Sequence, residues 1–220
     1  MSASLHPAPA ASAAAQPRII PAVAAVRHLA PDARVVESPG IPVHVRIEGA
    51  PPIAPDGLVV EVRLRVDDPA TGTPQVAVAH AEHATGWSLG IDGSGQPTLT
   101  LGTALGPVSL RTPATLTAGA EHALLARIPG EAPGVVTLVH RDAEGCERSA
   151  TVRIGAAVVP SRGPLLWGCR SLYDGVRPEL ILGGEVSDVR LSADADGGSA
   201  PALLGAWEGG VRVGRRSRAV

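Results

Sequence analysis

At 220 residues, 45% hydrophobic, with a formal net charge of −2, the chain has room for one domain with a substantial core. So little net charge excludes a global field steering it toward nucleic acid or an anionic membrane. No apolar run approaches the roughly 20 residues of a membrane-spanning helix. The apolar content is aliphatic, with no Phe, one Tyr and three Trp, and all 19 basic residues are Arg. Asn is absent, which excludes N-linked glycans.

Residues 1–34 read as an Ala/Pro-rich leader, expected to be disordered. The opening "MSASLHPAPAASAAAQP" lacks the charged n-region of a secretory signal, so a cytoplasmic location is expected. From Val35 the pattern changes. "VHVRIEG" (43–49) alternates apolar and polar, and "LVVEVRLRVDD" (58–68) does so more strongly. Val60, Val62, Leu64 and Val66 then share one face, with Glu61, Arg63 and Arg65 on the other. That is the period of a strand with one buried and one wet face. Further strands are predicted at 75–80, 86–92, 97–102, 108–112, 122–128, 134–142, 148–154, 164–169 and 185–192, separated by Gly/Pro-rich turns. "ADADGGSAPALLGAW" has room for one helical turn at most, and "RVGRRSRAV" inside 209–220 reads as a solvated basic tail. The expected architecture is all-β: an antiparallel β-sandwich of jelly-roll type over 35–208.

The hairpin "GWSLGIDGSGQPTLTLG" (86–102) places Trp87, Leu89 and Ile91 on one face, with Leu99 and Leu101 on the returning strand. Its turn is expected to use positive φ at Gly93 and Gly95. It sets register and is not itself a site.

The succession of this hairpin, "LTAGAEHALLARI", "VVTLVHRDAEGCERSATVRI", "PLLWGC" and "GGEVSDVRLSADA" resembles laminin-G-like domains of the concanavalin A-like lectin and glucanase superfold. The likeness runs over about 35–194. Glu121-His122 stand where that pattern has a Trp, and the aromatic before the last strand is missing. More narrowly, "ESPGIPVHV", the strand pair around "DDPATGTP", "VRLS" and "LLGAWEGG" are similar to the lectin-like domain of the N,N-dimethylformamidase large subunit. In that family an iron held by tyrosines and a glutamate lies in a separate catalytic part. The resemblance therefore implies a non-catalytic accessory domain without a cofactor, partnered by a larger catalytic subunit or a carbohydrate.

Individual residues add little chemistry. His80, Glu82 and His83 in "HAEHATGW" place two potential zinc ligands on one strand face and the third near a turn, which reads as a polar loop. His44, His122 and His140 fall on different strands. Laminin-G-like domains often bind calcium, for which Asp92, Asp142, Asp174, Asp188, Asp194 and Asp196 supply oxygens without the family's ligand pattern. Glu185 and Asp188, three apart in a strand, should face opposite ways and so cannot form a glycosidase pair about 5 Å apart. "DGSGQ" is no nucleophile elbow. Trp87 and Trp167 sit in apolar patterns and are expected in the core. Tyr173, with Asp174 and Arg177 in "SLYDGVRP", is the expected exposed ligand-binding group, and no metal site is assigned. Cys146 and Cys169 read as two unrelated thiols rather than a disulfide framework.

Overall fold

A computed structural model describes residues 33–38, 41–49, 53, 56–171, 178–193, 203–207 and 210–214. Every regular element among them is a strand. The first seven are β1 (Ala33–Ser38), β2 (Ile41–Ile47), β3 (Leu58–Val66), β4 (Gln75–Glu82), β5 (Thr85–Ile91), β6 (Pro97–Thr103) and β7 (Gly106–Arg111). There follow β8 (Glu121–Ile128), β9 (Gly134–Arg141), β10 (Glu147–Ile154), β11 (Leu165–Trp167), β12 (Arg170–Ser171) and β13 (Pro178–Glu179). The chain then forms β14 (Gly184–Ala193), β15 (Leu203–Trp207) and β16 (Val211–Val213).

The strands make two antiparallel layers and a small hairpin. One sheet runs β1-β2-β11-β4-β5-β6-β7, the other β10-β9-β8-β3-β14-β15, with β16 also on β14; β12 pairs with β13. Alternation explains which side each residue takes. Along β3, Leu58, Val60, Val62, Leu64 and Val66 are buried while Glu61, Arg63 and Arg65 are exposed. Leu89 opposite Leu99 and Trp87 opposite Leu101 build the facing wall. Both layers turn these faces onto one aliphatic core, which includes Trp87 and Trp167. The expected antiparallel β-sandwich is the observed fold.

The 86–102 hairpin has its expected register, but its two glycines differ. Gly95 has φ +85°, whereas Gly93 has no positive φ. A Cβ at Gly93 would lie 2.6 Å from the Gly72 carbonyl oxygen, so that glycine serves a close approach of backbones instead. Asp92 closes the turn: its Oδ1 accepts hydrogen bonds from the Ser94 N–H (2.9 Å), the Ser94 hydroxyl (2.7 Å) and the Gln96 N–H (3.0 Å).

Two readings of the C-terminal region change. Leu203–Trp207, expected in a stretch with room only for a helical turn, is strand β15 on β14. Val211 and Val213, inside the stretch read as a basic tail, are buried and pair with β14 as β16. Apolar-polar-apolar "VRV" is too short for periodicity to separate it from a tail. Pairing with a neighbouring strand decides it.

Candidate functional site

The wet face of the second sheet carries the charged side chains that alternation pushes out of the core. Strand register lines them up in rows across the sheet. One row runs Ser187, Arg63, Ala123, Arg141, Glu147 from β14 to β10. The next runs Arg190, Glu61, Leu125, Val139, Ser149. A third continues Val59, Arg127, Thr137, Thr151. A hollow of about 500 Å³ lies over these rows, within the roughly 300–1,000 Å³ typical of ligand pockets. Leu125 and Val139 give it an apolar floor, with guanidinium and carboxylate groups around them.

A bulge between Ser187 and Arg190 completes the hollow. Asp188 takes φ +48° there, a left-handed conformation that Asp tolerates better than most residues. The extra residue shifts the phase of β14, so Val189 and Leu191 still reach the core while Asp188 turns to the outer face. Its Oδ2 lies 3.8 Å from Arg63 Nε. The expectation that Glu185 and Asp188 face opposite ways is therefore corrected. Simple alternation would separate them, and the bulge adds the residue that cancels the separation.

Ion pairs on this face are loose on one side and close on the other. Arg63 Nη1 and Arg65 Nη2 each stand 3.8 Å from the Glu121 carboxylate. Arg141 Nη2 donates to Glu147 Oε2 at 3.0 Å. Exposed pairs of this kind contribute about 0–1 kcal/mol each, so they arrange the surface more than they hold the fold.

The structure distributes the sequence-derived candidates as follows. Tyr173, Asp174 and Arg177 lie outside the described residues. His80 points into the core edge-on to Trp87, ring centroids 6.4 Å apart, with His83 exposed in the following turn. Asp92 and Asp142 are occupied in turns, Asp142 accepting from the Cys146 N–H at 2.7 Å. Burial alone would raise the Asp92 carboxyl, but hydrogen bonds from Ser94 and Gln96 and the Arg111 guanidinium hold it below its ordinary value. Cys146 is exposed and Cys169 buried, both as free thiols, and burial pushes Cys169 up to about 12.

His122 and His140 do come together. Both are buried, and His140 Nε2 lies 3.1 Å from His122 Nδ1. The Thr117 backbone meets the other His122 nitrogen, its N–H at 3.1 Å and its carbonyl oxygen at 3.2 Å. Burial and then the neighbouring His122 lower the His140 pKa, with Asp142 opposing. Burial likewise lowers His44 against the Pro42 carbonyl, and His80 against a backbone bond at Gly163.

Sequence reasoning missed the hollow. It placed Glu61, Arg63 and Arg65 correctly on the wet face and read no site from them. The available signal was period-two arginine in three further strands, at Arg127, Arg141 and Arg190.

No protein-family model and no curated protein matches the sequence. Solved structures do. The heptameric SAP-like pentraxin of Limulus polyphemus aligns over 83% of this chain and 94% of its own, at 14% identity and TM-score 0.50. Tailspike protein 2 of bacteriophage CBA120 aligns over 70% of this chain, at 14% identity and TM-score 0.49. The LG1-3 region of the laminin α2 chain covers 76%, at 14% identity and TM-score 0.47. This chain spans about a quarter of that tailspike protein (24%) and about a third of the laminin fragment (34%). At such identity the likeness is one of fold alone, an antiparallel β-sandwich.

Proposed function

We propose that the protein is a non-catalytic binding module that holds its ligand on the outer face of the second sheet. The observation that carries this is the hollow itself: a floor of Leu125 and Val139 ringed by paired charges on rigid strands. Fixed strands position polar groups more sharply than loops do. Asp188 and Glu147 each stand against an arginine, Arg63 and Arg141, an engagement that suits recognition better than general acid–base work.

The test is a glycan array probed with the wild-type chain, Val139→Glu and Tyr173→Ala. Binding that is lost in Val139→Glu and kept in Tyr173→Ala places the ligand in the hollow. The reverse pattern moves it to residues 173–177 and overturns the placement.

A second reading, docking onto a larger catalytic subunit of N,N-dimethylformamidase type, rests on β15. That strand ends its sheet and exposes Leu203 (65%) and Leu204. Co-expression with such a subunit should give one gel-filtration peak that Leu203→Arg splits; two peaks with the wild-type chain would dismiss it.

A further inference from the structure

The charges lining the hollow are mixed. Arg63, Arg127, Arg141 and Arg190 face Glu61, Glu147 and Asp188. A surface evolved only for solubility also mixes signs, but this one combines them with an apolar floor and a concave shape. Arg63 adds a sharper point. It meets two carboxylates at 3.8 Å each, beyond hydrogen-bond length. Exposed pairs so held exchange readily for a better acceptor, and a planar guanidinium is built to take a carboxylate through two parallel N–H bonds. Arg141 lies in the same row, two strands away, at about 10 Å.

The three carboxylates limit what can bind. A charge-dense polyanion, such as a sulfated glycan or an acidic peptide, would press like charges against Glu61, Glu147 and Asp188. A neutral sugar usually gains its affinity by stacking on an aromatic ring, and among the described residues no aromatic lines this hollow. A ligand with one carboxylate per sugar ring, accompanied by hydroxyls, suits both signs at once. Its carboxylates pair with arginine, its O–H groups donate to Glu and Asp, and its C–H face lies on Leu125 and Val139.

We infer that the hollow binds an acidic saccharide of uronic-acid type, with Arg63 and Arg141 as its carboxylate receptors, without a metal ion. This rests on the binding-module reading above and narrows its ligand class.

The experiment is calorimetric titration of the full chain with oligogalacturonate, with the neutral oligogalactan, with heparin and with poly-glutamate, each with and without a chelator. The expected result is saturable binding of oligogalacturonate alone, unchanged by chelator. Arg63→Gln and Arg141→Gln should each weaken it at least tenfold, while Arg153→Gln, on exposed β10 outside the hollow, should not. Thermal unfolding at the wild-type midpoint confirms that the variants are folded. Several results overturn the inference: tighter binding of heparin or poly-glutamate, dependence on a divalent cation, or indifference to both arginine variants. Neutral oligogalactan bound in the hollow, and lost in Val139→Glu, would remove the acidic ligand class and leave the binding module standing. If no saccharide binds here or on the glycan array, both fall.

Discussion

Acidification should destabilise this protein in the window where histidine titrates. His44, His80 and His140 are all buried, with pKa values lowered mainly by that burial from the ordinary 6.5. In the unfolded chain each takes up its proton as pH falls through that value, while the folded chain resists. Stability is therefore complete above pH 6.5 and falls as pH drops toward the lowered folded values, where the loss ends. Each proton taken up only by the unfolded state costs about 1.4 kcal/mol per pH unit, so three histidines set a ceiling of about 4 kcal/mol per pH unit. Against a typical domain stability of about 5–15 kcal/mol, that is large. The assay is urea unfolding at several values between about pH 7.5 and 5.5, with His140→Leu in parallel. The variant should lose about 1–3 kcal/mol near pH 7.5, since His122 Nδ1 is left without a partner, and less as the pH falls. Its pH slope should be shallower by up to a third. A flat wild-type profile, or an unchanged slope in His140→Leu, would refute the claim that these imidazoles are buried neutral.

Leu89 is fully buried in the core, so Leu89→Ala should cost about 2–5 kcal/mol, whereas Val135→Ala at an exposed position should stay within about 0.5 kcal/mol; urea midpoints decide both. Gly95 and Gly145 have nearly the same φ, +85° and +83°, but a Cβ at Gly95 would meet Thr115 Cγ2 at 2.9 Å while Gly145 faces open space. Gly95→Ala should therefore be worse than Gly145→Ala by about 1–3 kcal/mol, the cost of overpacking, and equal losses would show that backbone strain alone matters. At the bulge, Asp188→Gly should change stability by less than about 1 kcal/mol, because relieved strain offsets added freedom in the unfolded chain. Asp188→Val should cost about 1–3 kcal/mol, and a tolerated Val would mean that residue 188 does not carry the positive φ.

The sandwich was legible because burial writes itself into period two. In β3, β8 and β9 the buried residues are, Val59 aside, those that alternation selects, and strand ends fall where Gly, Pro and Asp interrupt the pattern. What escaped were strands too short or too polar to show a period. β12 and β13 have two residues each. β16 is known as a strand only through its partner β14. The bulge escaped for a related reason. In "EVSDVRLS" two polar residues, Ser187 and Asp188, break the alternation, and only pairing with β3 identifies the break as an added residue between Ser187 and Arg190.

The hollow was harder still, since it belongs to no segment. Its residues come from β3, β8, β9, β10 and β14, which are far apart in sequence and meet only through register. Alternation puts Arg63, Arg127 and Arg141 on wet faces one strand at a time. It cannot say that Arg63 and Arg141 share a row with Ala123 between them, or that a hollow lies over that row. The His122–His140 contact shows the same limit inside the core. Each histidine occupies an inward position of its own strand, and their 3.1 Å approach depends on the stagger of β8 against β9, a quantity that no single strand encodes. A site spread across a sheet is written in the offsets between strands, so composition and spacing can supply its members without revealing that they assemble.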